Sequence, residues 1–268
     1  MKVTGIDVAA ASQVAARFTA DYLTYQPATG ASTTAAGSMS SSGWSGTGRL
    51  TTDLVEPGPT AAIDAQHMLV SVAARVHIDR TAAGQPMSIS ATSSRSVTPA
   101  TAASASPNAA AQAQRWVTLI VPVQSDGNTL QVAASGPVFT GEPPAGVTPT
   151  ADSQPDAATT AATQPIVATF LAAYARSDVS YLASPGVSMT GLAGVLQFMS
   201  LTGWSLSTQA TRPGAEAVPP SGVGSGTVVW QLVGTDLQIA QSYSIALTSA
   251  QGRWYASAVA PDLTDLEG

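Results

Sequence analysis

Apolar positions follow two registers along the chain, helical spacing first and strict alternation after, and the succession occurs twice. Over residues 7–25, Val8, Ala11, Val14, Ala15, Phe18, Tyr22 and Tyr25 recur at helical spacing and Pro27 ends the run, which predicts an amphipathic helix with one buried face. Over residues 66–80, Val70, Val72, Ala74, Val76 and Ile78 alternate with Ser71, Ala73, Arg75, His77 and Asp79, the signature of a long strand. Residues 115–139 read as a hairpin around Asp126-Gly127. In the second half, residues 164–176 predict a helix with Ile166, Val167, Phe170, Leu171 and Tyr174 inward and Pro165 in its first turn. A short helix over 178–184, capped by Asp178 and stopped by Pro185-Gly186, is expected next, and 192–201 fits either helix or strand. Strands follow at 203–211, 226–234, 237–248 and 253–260, the last two joined at Gln251-Gly252. In the third of them Leu237, Ile239, Gln241, Tyr243, Ile245 and Leu247 share a face, with Gln241 the one polar member.

The two hairpins, 115–139 and 239–261, each place a Gly in the turn and a Pro near the end of the second strand. Upstream of each lies a helical phrase with a Phe four residues before a Tyr, Phe18 and Tyr22 in one and Phe170 and Tyr174 in the other, so each pair shares a helix face. Helices first and antiparallel strands after is α+β segregation. The expected organisation is two tandem cone domains of the nuclear-transport-factor-2-like (cystatin-like) kind, each with helices followed by a curved antiparallel sheet. Residues 1–140 form the first and 164–268 the second. Residues 141–163, with Pro143, Pro144, Pro149 and Pro155 and few large apolar side chains, are expected as a linker. Residues 81–114, rich in Ser, Thr and Ala, are expected as a long insertion.

Composition narrows the function. Only 10% of the 268 residues are charged, the net charge is −6 and the pI is about 4.6. Ten scattered basic residues make no phosphate-binding patch, so no direct nucleic-acid binding is expected. The absence of cysteine removes disulfides, thiolate zinc sites and thiol nucleophiles together. No run reaches the roughly 18–20 apolar residues of a membrane span.

The phrase Phe170-Leu171-Ala172-Ala173-Tyr174, then Ser180-Tyr181-Leu182, Pro185-Gly186, Gly191-Leu192 and Gly252-Arg253-Trp254-Tyr255, resembles the C-terminal domain of TcpC-type conjugation proteins. The first half resembles their central domain through Phe18 to Tyr22, Trp44-Ser-Gly-Thr-Gly, Val121-Pro122-Val123 and Gly136-Pro137. The resemblance implies a bitopic structural subunit of a Gram-positive conjugation (type IV secretion) system. Such a subunit is held on the extracellular face of the membrane by an N-terminal anchor not included in this sequence. Its expected partners are other channel subunits and further copies of itself.

Chemistry is sparsely signalled. No phosphate loop, His-Glu-x-x-His or Gly-x-Ser-x-Gly motif occurs, and Gly222-Val-Gly-Ser-Gly reads as a flexible loop. His67 and His77 lie at opposite ends of one predicted strand, and His77 reads as part of a solvated face with Arg75 and Asp79. No catalytic, cofactor-binding or metal residue and no cofactor is therefore expected. The alternative is a small-molecule-binding or isomerase/dehydratase-type enzyme using the cone cavity, with Asp178, Tyr174, Tyr181 and Asp236 as its candidates. Trp116 and Trp254 are expected in the core, whereas Trp44, among glycines and serines, has the better claim to a partner surface.

Overall fold

Asp7 opens the first helix, α1 (Val8–Tyr22): its Oδ1 accepts from the Ala10 amide at 2.9 Å and satisfies a donor the helix cannot. In the computed structural model, which describes residues 5–26, 43–79, 112–145, 153–209 and 220–263, the buried stripe of α1 is Ala11, Ala15 and Thr19, continued by Leu23. Small residues at its centre let the helix lie close on the sheet. Val14, Phe18 and Tyr22 flank the stripe half-buried, whereas Val8, expected inward, is 51% exposed.

Under α1 lie β2 (Arg49–Ala62), β3 (His67–Asp79), β4 (Gln112–Ser125) and β5 (Leu130–Val132), antiparallel and in that order. A two-residue strand, β6 (Val138–Phe139), pairs with β4 further along its edge. On β3, Val70, Val72, Ala74, Val76 and Ile78 are all buried, as their alternation predicts. Residues 112–114, expected in the insertion, belong to β4; the rest of that insertion lies outside the described residues.

The second sheet has the order β1-β10-β9-β8-β7, with β11 also beside β10. Its strands are β7 (Ser153–Pro155), β8 (Leu196–Gln209), β9 (Ser221–Leu232), β10 (Gln238–Ala250) and β11 (Arg253–Pro261). The path β8-β9-β10-β11 repeats β2-β3-β4-β5. The remaining strand, β1 (Trp44–Ser45), comes from the first half: Trp44 pairs with Ile239 and Ser45 with Gln238. Both sheets carry register shifts, on β2, β8 and β11, which bend and twist a strand where one extra residue is accommodated.

Several expectations are corrected here. Helix α2 (Ala157–Ala175) begins seven residues before 164, because Asp156 caps it and the Ala- and Thr-rich stretch behind the cap has strong helix formers. Pro165 is therefore inside the helix instead of in its first turn. Residues 153–163, expected as linker, are β7 and the start of α2; 146–152 lie outside the described residues. The short helix over 178–184 is a single turn closed by Leu182 N and Ala183 N on the Val179 carbonyl. Its chain is then drawn aside to bridge Ala183 to Ala256. Residues 196–201 are strand. Gly222, Gly224 and Gly226 are no flexible loop but the inward face of β9. A Cβ on Gly224 would run into the Trp204 ring, whose Nε1 donates to Thr163 Oγ1 on α2 at 3.1 Å. The glycine strip is the bed that lets a buried tryptophan lie flat between sheet and helix.

Candidate functional site

A buried hydrogen-bond network lies where the two halves meet. Gln241 on β10 is buried with every hydrogen-bonding capacity engaged. Its Nε2 donates to Tyr22 Oη and to the Pro137 carbonyl, both at 3.1 Å, and its Oε1 accepts from the Phe139 amide at 3.2 Å. The Tyr243 hydroxyl accepts from Trp230 Nε1 at 3.0 Å. Its single proton faces Gln241 Oε1 at 3.0 Å and the Phe139 carbonyl at 2.9 Å. Across the seam, Tyr174 Oη shares a hydrogen bond with Thr140 Oγ1 and accepts from the Gly141 amide, each at 3.1 Å. Burial pushes the Tyr174 phenol up to about 12 and raises those of Tyr22 and Tyr243 well above their ordinary value. All three stay neutral near pH 7 and serve as fixed hydrogen-bonding groups.

Two outer clasps close the same seam. Asp236, in the turn between β9 and β10, accepts from the Thr47 hydroxyl at 2.6 Å, the Thr47 amide at 2.9 Å and the Gly48 amide at 3.2 Å. These bonds hold its carboxyl below the usual range. On the other side Glu142 accepts from the Thr190 amide, and burial raises its carboxyl. Gly141 stands against the carbonyls of Thr190 and Gly191, where a Cβ would not fit.

The enzyme candidates are dispersed by this architecture. Tyr174 is sealed inside, Asp236 is bound in its turn, and Asp178 and Tyr181 stand exposed; among the described residues no hydrogen bond joins any two of the four. Asp178 caps no helix. His67 pairs with Asp64 at 2.7 Å. His77 pairs at 2.9 Å with Asp53, which also takes both Nε and Nη2 of Arg75. Asp53 is the residue added at the first register shift of β2, so the bulge brings it onto the outer face beside His77 and Arg75. Among the described residues no three His, Asp or Glu side chains gather as a metal-ligand set.

The tryptophans also depart from expectation. Trp44 is buried, set edge-on to Phe139 at 6.2 Å with Nε1 donating to the Tyr22 carbonyl, so the surface it serves is internal. Trp116 is 50% exposed. Trp254 is half-buried at the rim of the core, where it lines a groove of about 410 Å³ with Ile166, Thr169, Tyr181, Arg253 and Tyr255. A second hollow of about 360 Å³ lies between α2 and β8 near Arg176 and Phe198. Neither reaches the centre, where Phe170, Tyr174, Trp230 and Tyr243 fill the space under the second sheet.

No family model matches the chain, and no curated protein matches it. Among solved structures, the chain is similar to one described as an Ntf2 like protein involved in plasmid conjugation. The two are 16% identical over 80% of this chain and 78% of that one, with a TM-score of 0.34. A superposition that loose does not establish a common fold. What stands without it is a mixed architecture of two helices and two bent antiparallel sheets among the described residues.

Proposed function

We propose that the chain is a non-enzymatic assembly subunit of a Gram-positive conjugative DNA-transfer apparatus. It is built of two tandem nuclear-transport-factor-2-like halves and works through protein–protein contacts outside the membrane. The observation that supports this reading most is the use made of its polar and aromatic side chains: Tyr22, Tyr174, Gln241, Tyr243 and Asp236 are spent joining one half to the other. An enzyme of the cone type keeps such groups open to a substrate; here the interior is filled. The sequence resemblance to TcpC-type proteins supplies the biological setting. The residues that carry it are architectural in this fold: Phe170 stacks on Tyr174, and a Cβ on Gly191 would run into the Tyr174 carbonyl. Self-association and attachment through a membrane anchor outside this sequence belong to the same proposal, since tethering raises the local concentration of modest contacts. None of the described helices is long and apolar enough to cross a membrane.

Deletion of the gene from its native element should abolish transfer in a mating assay, and restoring it should recover transfer. Asp178→Asn and His77→Gln, each folded, should leave transfer close to wild type. Undiminished transfer after deletion, or a hundredfold loss from one of those replacements, would overturn the reading.

A further inference from the structure

The groove beside the β10–β11 turn has a chemistry of its own. Its walls are Ile166 and Thr169 of α2, Tyr181 from the following turn, and Arg253, Trp254 and Tyr255 at the start of β11. Tyr181 is 59% exposed, and its ring serves none of the seam's bonds. Arg253 is the one charged residue of the lining. Among the described residues it has no carboxylate partner; its guanidinium rests over the Tyr255 ring, 5.7 Å from the centroid. At one end of the groove Gln251 and Gly252 form a two-residue turn with φ of 52° and 74°, a geometry matched to the strand twist. With no carboxylate partner among the described residues, the Arg253 guanidinium beside Tyr255 favours an anionic group in the groove. Three aromatic rings with no dense set of polar groups ask for flat, apolar rings between them.

We infer that this groove docks a proline-rich segment of a partner protein, in an extended polyproline conformation, with an acidic side chain of that segment on Arg253. Its volume, about 410 Å³, suits a short stretch of chain. A polyproline helix is ordered before it binds, so little entropy is lost when shallow aromatic walls receive it. The groove stands on its own chemistry, whether or not the chain serves DNA transfer.

Calorimetric titration of the whole chain with a capped peptide of four Glu-Pro-Pro repeats tests the inference. Peptides of Lys-Pro-Pro and Glu-Ser-Gly repeats and a chitin hexasaccharide serve as comparators. The Glu-Pro-Pro peptide should bind with one site and move the amide resonances of Tyr181, Gly252 and Arg253, and the comparators should bind weakly. Tyr181→Ala, at an exposed position, should weaken it about tenfold, the usual loss for an aromatic anchor. Arg253→Ser should weaken it about fivefold and abolish the preference for Glu over Lys. No binding at millimolar peptide, equal binding of the Lys peptide, preference for the saccharide, or indifference to both substitutions would overturn it.

Discussion

Helices α1 and α2 each stack a Phe on a Tyr one turn later, at 5.5 and 5.6 Å between centroids and 25° and 28° between planes, in unlike surroundings. Phe18 and Tyr22 are half-buried over a sheet whose inner face is mainly Val, Leu and Ile, with Phe139 on its short edge strand. Phe170 and Tyr174 are sealed among Trp230, Tyr243 and Trp204. Yet both hydroxyls do the same thing: each leaves its own half. Tyr22 receives Gln241 from β10 of the second half, and Tyr174 engages Thr140 and Gly141 at the end of the first. The two aromatic pairs stack alike, and each lends its polar end to the joint. The lesson is that helical spacing sets the local stacking, while the seam sets what each tyrosine binds.

The contrast can be broken from its aromatic side first. Trp230→Ala removes a fully buried ring that meets Phe198 and Tyr243 edge-on and also donates to Tyr243; it should cost about 3–5 kcal/mol in chemical denaturation. Because Tyr243 then loses its donor at the seam, one cooperative transition should shift as a whole. Two transitions, of which only one moves, would mean that the halves fold independently. Gln241→Leu should come next, at about 1–3 kcal/mol, since it strands Tyr22 Oη, the Phe139 amide and the Pro137 carbonyl without partners. Tyr174→Phe should cost about 1–2 kcal/mol and Tyr22→Phe about half that, because the first frees two partners and the second one. Equal losses would erase the distinction drawn between the two helices.

Much of this was legible before the structure, and what was not has identifiable causes. The inner face of β3, the two Phe–Tyr pairs and the turn at Gln251-Gly252 follow from periodicity and local turn chemistry, which act over a few residues. Gln241 signalled itself as the polar member of an apolar face, but apart from Tyr243 its partners lie 102 to 219 residues away and leave no trace in spacing. The same distance hid the pairing of Trp44 with Ile239. Trp116 was readable and misread: Val117, Leu119, Val121 and Val123 are inward, so alternation alone turns Trp116 out. Gly222, Gly224 and Gly226 have strand period, but a side-chain-free face is informative only once the tryptophan that lies on it is known. Among the enzyme candidates, residue type suggested chemistry where three-dimensional position assigns Tyr174 and Asp236 to the joint.

The smallest effect should come from the outer clasp, and its sign separates it from the buried network. Asp236 is exposed, so solvent screens its bonds and their contribution is modest. Its folded carboxyl titrates below the unfolded one because the Thr47 hydroxyl and amide favour the charged form. The stability it supplies is therefore fully present above the unfolded pKa, near 4, and is lost as the pH falls through the lower folded value. Asp53, Asp64, Asp126 and Asp156 slope the same way, whereas Glu142, raised by burial, slopes oppositely, so a single acid melt mixes them. The difference between wild type and Asp236→Asn isolates one group. Melting temperatures of the two proteins, followed from about pH 7 down to 2, should differ slightly in wild type's favour at the neutral end and converge as Asp236 takes up its proton. A gap that widens on acidification would show that the clasp is not held by the carboxylate. The joint would then rest on the buried network, the Glu142 clasp and the β1–β10 pairing.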